Sequence, residues 1–236
     1  MKNLLQRWFG PKLQLSERQS ERLVLWENLP EVSPELAFDH ARIVVLDVET
    51  TGLDLQNDTL ISIGAVACVN GRIALGDSFS VVLQQREISG KTNILIHGIS
   101  GSEQREGILP ADALLSFLEY IGKSPLVAFH VTFDETMIRR ALRQYLGLSF
   151  KHAWLDLAFV MPALWPELLR SHRSLDDWSM RCEIDNDDRH NAVADAVVTA
   201  QLLLVAIAQS KQLFGTESYD GLHNLERRFR NKLENS

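Results

Sequence analysis

Asp47 and Glu49 end an apolar run, IVVLDVETTGL at 43–53, and stand two positions apart. In a β-strand that spacing aims both side chains at one face. Two carboxylates held so close repel, and each raises the other's pKa unless a cation lies between them. Asp134, in AFHVTFDETMI, falls at the expected start of a helix, where the dipole favours a negative charge. Helix capping is the competing use for an aspartate there. Asp195, in HNAVADA, occupies the first turns of a long apolar segment. Four carboxylates on separate elements can converge on hard divalent cations, which take oxygen ligands. Two such ions suit phosphoryl chemistry, one activating water and the other stabilising the leaving oxygen.

His190 precedes Asp195 by five residues. On one helix that step turns about 500° and leaves the two side chains roughly 140° apart. The histidine therefore belongs in the loop before the helix, from which it can reach an attacking water as a general base. Its alternative is a surface residue beside the acidic run EIDNDD at 183–188.

These residues need a scaffold of strands and helices. Positions 42–48 form a continuous apolar strand, and 60–69 and 72–83 follow it across Asn70-Gly71, a strong hairpin signal. Three antiparallel strands thus open the domain. Residues 84–110 carry no clear period and are expected to be irregular. Helices are predicted at 111–121 and 132–146, the second started by a Thr132/Glu135 capping box. Short strands fall at 125–129 and 152–155, with further helices at 156–163, 175–182 and 192–209. The class is α/β, a mixed sheet flanked by helices.

The chain of 236 residues is long enough for one substantial core plus extensions. Its formal charge of −7 argues against coating nucleic acid electrostatically, but not against gripping a few nucleotides through bound metal. Cys68 and Cys182 fit neither a disulfide framework nor a zinc site, which points to a reducing cytoplasm. Gln6 and Arg7 interrupt any signal-peptide core. No apolar run reaches the length of a membrane span, and no membrane partner is expected.

DVETTGL, the Phe133-Asp134 pair and HNAVADA, with HGIS at 97–100 between the first two, resemble the ordered motifs of the DEDDh 3′→5′ exonucleases. That group contains the proofreading subunit of bacterial replicative DNA polymerase, and the resemblance covers roughly residues 41–208. It implies a ribonuclease H-like fold and two Mg²⁺ or Mn²⁺ ions. It also implies hydrolysis of DNA from the 3′ end to nucleoside 5′-monophosphates. By motif, Asp47 bridges the two ions, Glu49 and Asp195 complete one site, Asp134 supports the other and His190 is the base. Thr50, Thr51, Gly52, Leu53, His97 and Phe133 inherit contacts to the terminal nucleotide. For Leu53 and Phe133 the alternative is core packing. One departure stands out: the family has His-Asn shortly before Phe-Asp, where this chain has Phe129-His130.

The organisation expected is a helical extension over 1–40, the exonuclease domain over 41–210 and a basic tail over 211–236. The extension packs on the domain or docks a polymerase or other partner. The tail's LERRFRNKL is a solvated basic helix or a guide for single-stranded nucleic acid. DNA 3′ ends, single-stranded or frayed, are the expected substrate. RNA is the alternative substrate, and an inactive binding module the alternative of another class.

Overall fold

The computed structural model describes residues 15–33, 35–186 and 189–235. Strands β1 (Arg42–Thr50), β2 (Leu60–Val69) and β3 (Arg72–Val82) form an antiparallel meander. Asn70 and Gly71 both take positive φ, 51° and 72°, as a tight hairpin turn requires. β4 (Leu126–Ala128) joins β1 in parallel and β5 (Trp154–Asp156) joins β4 in parallel, so the sheet runs β3-β2-β1-β4-β5.

The helices are α1 (Glu17–Glu27), α2 (Lys91–His97), α3 (Gly101–Glu106), α4 (Pro110–Ile121), α5 (Val131–Leu146), α6 (Leu157–Leu164), α7 (Leu175–Arg181), α8 (Ala192–Phe214) and α9 (Tyr219–Glu234). β1 is central and buried on both faces, which explains its unbroken apolar run. Val44, Leu46 and Val48 join one core with Leu114, Phe117, Leu118, Ile138 and Leu142 of α4 and α5. Ile43 and Val45 join the other core with Val160 and Met161 of α6 and Leu202, Leu203 and Ala206 of α8. The odd-numbered face of β1 is thus the α8 face. Asp47 and Glu49 continue it, which turns them towards the start of the helix that carries Asp195.

Several local expectations change. Residues 84–110 hold α2 and α3 rather than an irregular stretch. Helices this short show no amphipathic period; their marks are the Ser100/Glu103 capping box and left-handed Gly98. α5 does not begin with a Thr132 cap. His130 is its N-cap, left-handed at φ 68° and without a side-chain cap bond, and Thr132 lies inside the first turn. α8 runs past position 209 to Phe214, where left-handed Gly215 stops it. At 23 residues it is long and apolar enough to cross a membrane by length and composition, contrary to the expectation from sequence. Its apolar face is instead packed on β1, β2 and β3.

Helix α1 of the N-terminal extension lies on α4, whereas Ala37 and Phe38 meet the chain at Glu217 and Ser218. Arg22 bonds Glu119 at 2.7 Å, and buried Trp26 donates its indole N–H to the Gly122 carbonyl at 2.9 Å. Trp8 and Phe9 lie outside the described residues. α9 packs on α6, and its Tyr219 and Leu222 join the core shared by α6 and α8. Its Arg230 reaches Glu226 at 2.7 Å and buried Asp156 at 2.8 Å.

Candidate active site

Gly64 lets two elements meet. It pairs in register with Asp47, and a Cβ built on it would run into the backbone of Ala192 and Val193. The first turn of α8 therefore lies directly on β2 beside Asp47, a close approach of the kind that glycine in a strand interior permits. Asn191 caps that turn, accepting from Val193 and Ala194 N–H at 3.1 and 3.3 Å. His190 turns into the cap with φ 65°, and its own N–H donates to Asp195 Oδ2 at 3.0 Å. One carboxylate oxygen from each of Asp47, Glu49 and Asp195 lies within 4.8 Å of the others. Asp134, on the first turn of α5, is 4% exposed and close enough that its charge acts on Asp47.

The electrostatics of Asp47, Glu49 and Asp134 follow from burial and crowding. Asp47 is pushed well above the usual carboxylate range by burial first, then by Asp134, Glu49 and Asp195. Glu49 is raised to about 8 by burial and then by Asp195. Asp134 is likewise raised well above the usual range, burial leading, with Asp156 and Glu49 adding repulsion and backbone hydrogen bonds opposing it. Arg189 pulls Asp47 and Glu49 the other way. Its guanidinium lies 2.6 Å from Asp195 Oδ2 and 2.6 Å from Asp176 Oδ1. A single arginine does not neutralise four converging acids. Their oxygen-only donor set fits hard divalent cations, whose charge would stabilise the ionised forms.

The acids sit in a cleft of about 630 Å³, a size suited to a nucleotide-sized ligand. Asp47, Glu49, Asp134, His190 and Asp195 all line it, with Thr50, Gly52, Leu53, His97 and Phe133. Leu53 is 85% exposed, so it is no core residue, whereas Phe133 both lines the cleft and packs on the α4–α5 core. Thr51 does not line it. Its hydroxyl bonds Asp58 at 2.7 Å and its carbonyl accepts from Asn93, which fixes the loop after β1. His97 is buried, and burial lowers its pKa. Its Nδ1 accepts from Ile99 N–H at 3.0 Å, which makes Nε2 the donor to Ser89 Oγ at 3.2 Å. That neutral imidazole holds the 97–99 turn at the cleft edge.

The sequence reading missed Gly64, Asn93, Ile96, Arg173, Ser174, Leu175 and Arg189. Only Gly64 carries a signal of its own, a glycine inside the buried strand LISIGAVACV. The other six come together through tertiary contacts.

A family model described as Exonuclease matches residues 44–203. The DNA polymerase III PolC-type of Thermotoga petrophila is 31% identical over 199 residues, covering 83% of this chain and 14% of that protein. The Bacillus subtilis protein of the same description is 30% identical over 181 residues, covering 76% of this chain and 12% of its own length. The chain thus spans only a small part of these relatives. Among solved structures, E. coli exonuclease I in complex with a dT13 oligonucleotide aligns with a TM-score of 0.64 at 17% identity. The match covers 75% of this chain and 43% of that one. At that identity the likeness bears on the fold, which is the ribonuclease H-like mixed sheet expected from sequence.

Proposed function

Since the chain belongs to the exonuclease family matched over 44–203, we propose that it is a metal-dependent 3′→5′ exonuclease hydrolysing DNA to nucleoside 5′-monophosphates. The observation that carries this reading is the meeting of Asp47, Glu49 and Asp195 within 4.8 Å on the floor of the cleft. A binding module needs no such cluster.

Asp47, Glu49, Asp134 and Asp195 would hold two divalent ions, Mg²⁺ or Mn²⁺. Such ions supply charge stabilisation and a nucleophile at neutral pH. His190, exposed at the cleft, accepts the proton of the attacking water and passes it to solvent. Its place in the turn that caps α8 couples its backbone to Asp195. Leu53 and Phe133 offer apolar surface to the terminal base and sugar, a sequence-tolerant form of recognition. An end must be unpaired to lie between them.

Single-stranded or frayed DNA 3′ ends are therefore the substrate of this reading. The dT13 oligonucleotide held by exonuclease I and the polymerase relatives support DNA over RNA. A cytoplasmic setting and a polymerase or other partner reached through residues 1–40 belong to the same proposal. The test uses oligodeoxynucleotide and oligoribonucleotide of one sequence, labelled at the 5′ end, with Mg²⁺, with Mn²⁺ and with chelator. The proposal expects a metal-dependent ladder shortening from the 3′ end, faster on DNA. Immediate release of the labelled 5′ nucleotide, or equal activity in chelator, would contradict it.

A further inference from the structure

Four carboxylates and two divalent cations balance, so the metal centre of the proposed activity brings no net attraction for the rest of a strand. With a formal charge of −7, the chain as a whole brings none either. Two arginines line the cleft, Arg173 and Arg189. Arg189 is committed to Asp176 and Asp195, each at 2.6 Å. Arg173 is exposed, and among the described residues its guanidinium has no acidic partner.

The Arg173 backbone is nevertheless held from both sides. Its N–H donates to Asp177 Oδ2 at 2.9 Å, and its carbonyl accepts from His130 Nε2 at 3.1 Å. His130 is itself anchored, because its backbone N–H donates to the buried carboxylate of Asp156 at 3.0 Å. The imidazole standing where the motif has asparagine thus ties the 170–174 loop to the start of the helix that carries Asp134. The backbone is fixed at the cleft edge, and a guanidinium with no acidic partner among the described residues can take an anion there.

We infer that Arg173 binds a backbone phosphate of the substrate strand and that His130 is the positioning residue that aims it. The phosphate is not the one being cleaved, because the cleaved phosphate must lie at the four acids and Arg173 pairs with none of them. The contact then acts on substrate binding rather than on the chemical step.

The inference rests on the exonuclease reading, and steady-state kinetics on a 5′-labelled single-stranded oligonucleotide with Mg²⁺ separate the two. Arg173→Ala is expected to raise KM about tenfold, the scale of one screened charge-assisted contact, with kcat within about twofold. The slope of log(kcat/KM) against log salt should fall by about 0.7, the value for one lost phosphate on a single strand. Arg173→Lys should restore the slope but only part of KM, since it keeps the charge and loses the fork. His130→Asn, whose side chain tolerates the left-handed backbone, should raise KM in the wild type and add nothing in Arg173→Ala. An unchanged KM in Arg173→Ala, or a raised KM with an unchanged slope, overturns the phosphate site. Additive KM effects overturn the role of His130. A wild type that neither binds nor shortens the strand brings down the exonuclease reading as well.

Discussion

Replacing Glu49 with Gln should stabilise the metal-free protein, and more so as the pH rises. Glu49 ionises at about 8 in the fold against an ordinary 4.5. Between those values the unfolded chain has released the proton that the folded chain still holds. Stability therefore falls as pH climbs through that window. At pH 7 the part of that shift already crossed, from 4.5 to 7, corresponds to about 3 kcal/mol by linkage. Partial exposure at the cleft screens this to about 1–2 kcal/mol. Gln cannot ionise, so the variant carries no such penalty. Thermal melts in chelator should show Glu49→Gln level with the wild type near pH 4.5. By pH 7–8 it should melt several degrees higher, at about 2–4 °C per kcal/mol for a domain of this size. Excess Mg²⁺ should shrink or reverse the gap, because the wild type gains by mass action and the variant has lost a ligand. A variant less stable than the wild type at pH 8 in chelator, or a gap independent of pH, would mean that Glu49 is not held protonated by its surroundings.

Gly64→Ala should cost about 1–3 kcal/mol of stability and on the order of 10²-fold in rate, since the new methyl pushes the first turn of α8 away from Asp47; an unimpaired rate in hydrolysis assays would count against the close approach. His190→Ala should lose about 10²-fold or more in kcat together with the acidic limb of the pH–rate profile, whereas His130→Asn should keep both. The assignment of the base fails if His130→Asn flattens that limb and His190→Ala leaves it. Mismatched or single-stranded 3′ ends should be digested faster than blunt paired ones, measured on matched labelled duplexes, because a chain of charge −7 has little with which to hold a duplex; faster digestion of paired ends contradicts this.

What the sequence revealed depended on the range of the interaction involved. β1 was legible because a strand buried on both faces must be apolar throughout, so the intrusion of Asp47 and Glu49 stood out. The hairpin at Asn70-Gly71 was legible because two adjacent residues dictate its backbone. The start of α5 was misread. Thr132 and Glu135 fit a local capping rule, but the actual cap is His130, whose N–H is held by Asp156 from 26 positions along the chain. α2 and α3 were missed because one or two turns do not build a period. Arg173 and Arg189 were silent for a related reason. An arginine's use is set by the carboxylates around it, and for Arg189 those lie on α7 and α8.

On this reading the four acids form a two-ion centre on which hydrolysis depends. Calorimetric titration of Mn²⁺ into the wild type and into Asp47→Ala, with each preparation assayed on a labelled oligonucleotide, tests it most directly. Two ions should bind the wild type. Asp47→Ala should lose at least one of them and all measurable hydrolysis, while its metal-free melting temperature holds or rises because repulsion among the remaining acids is relieved. An Asp47→Ala protein that binds Mn²⁺ as the wild type does, or that still shortens the strand, would contradict the account.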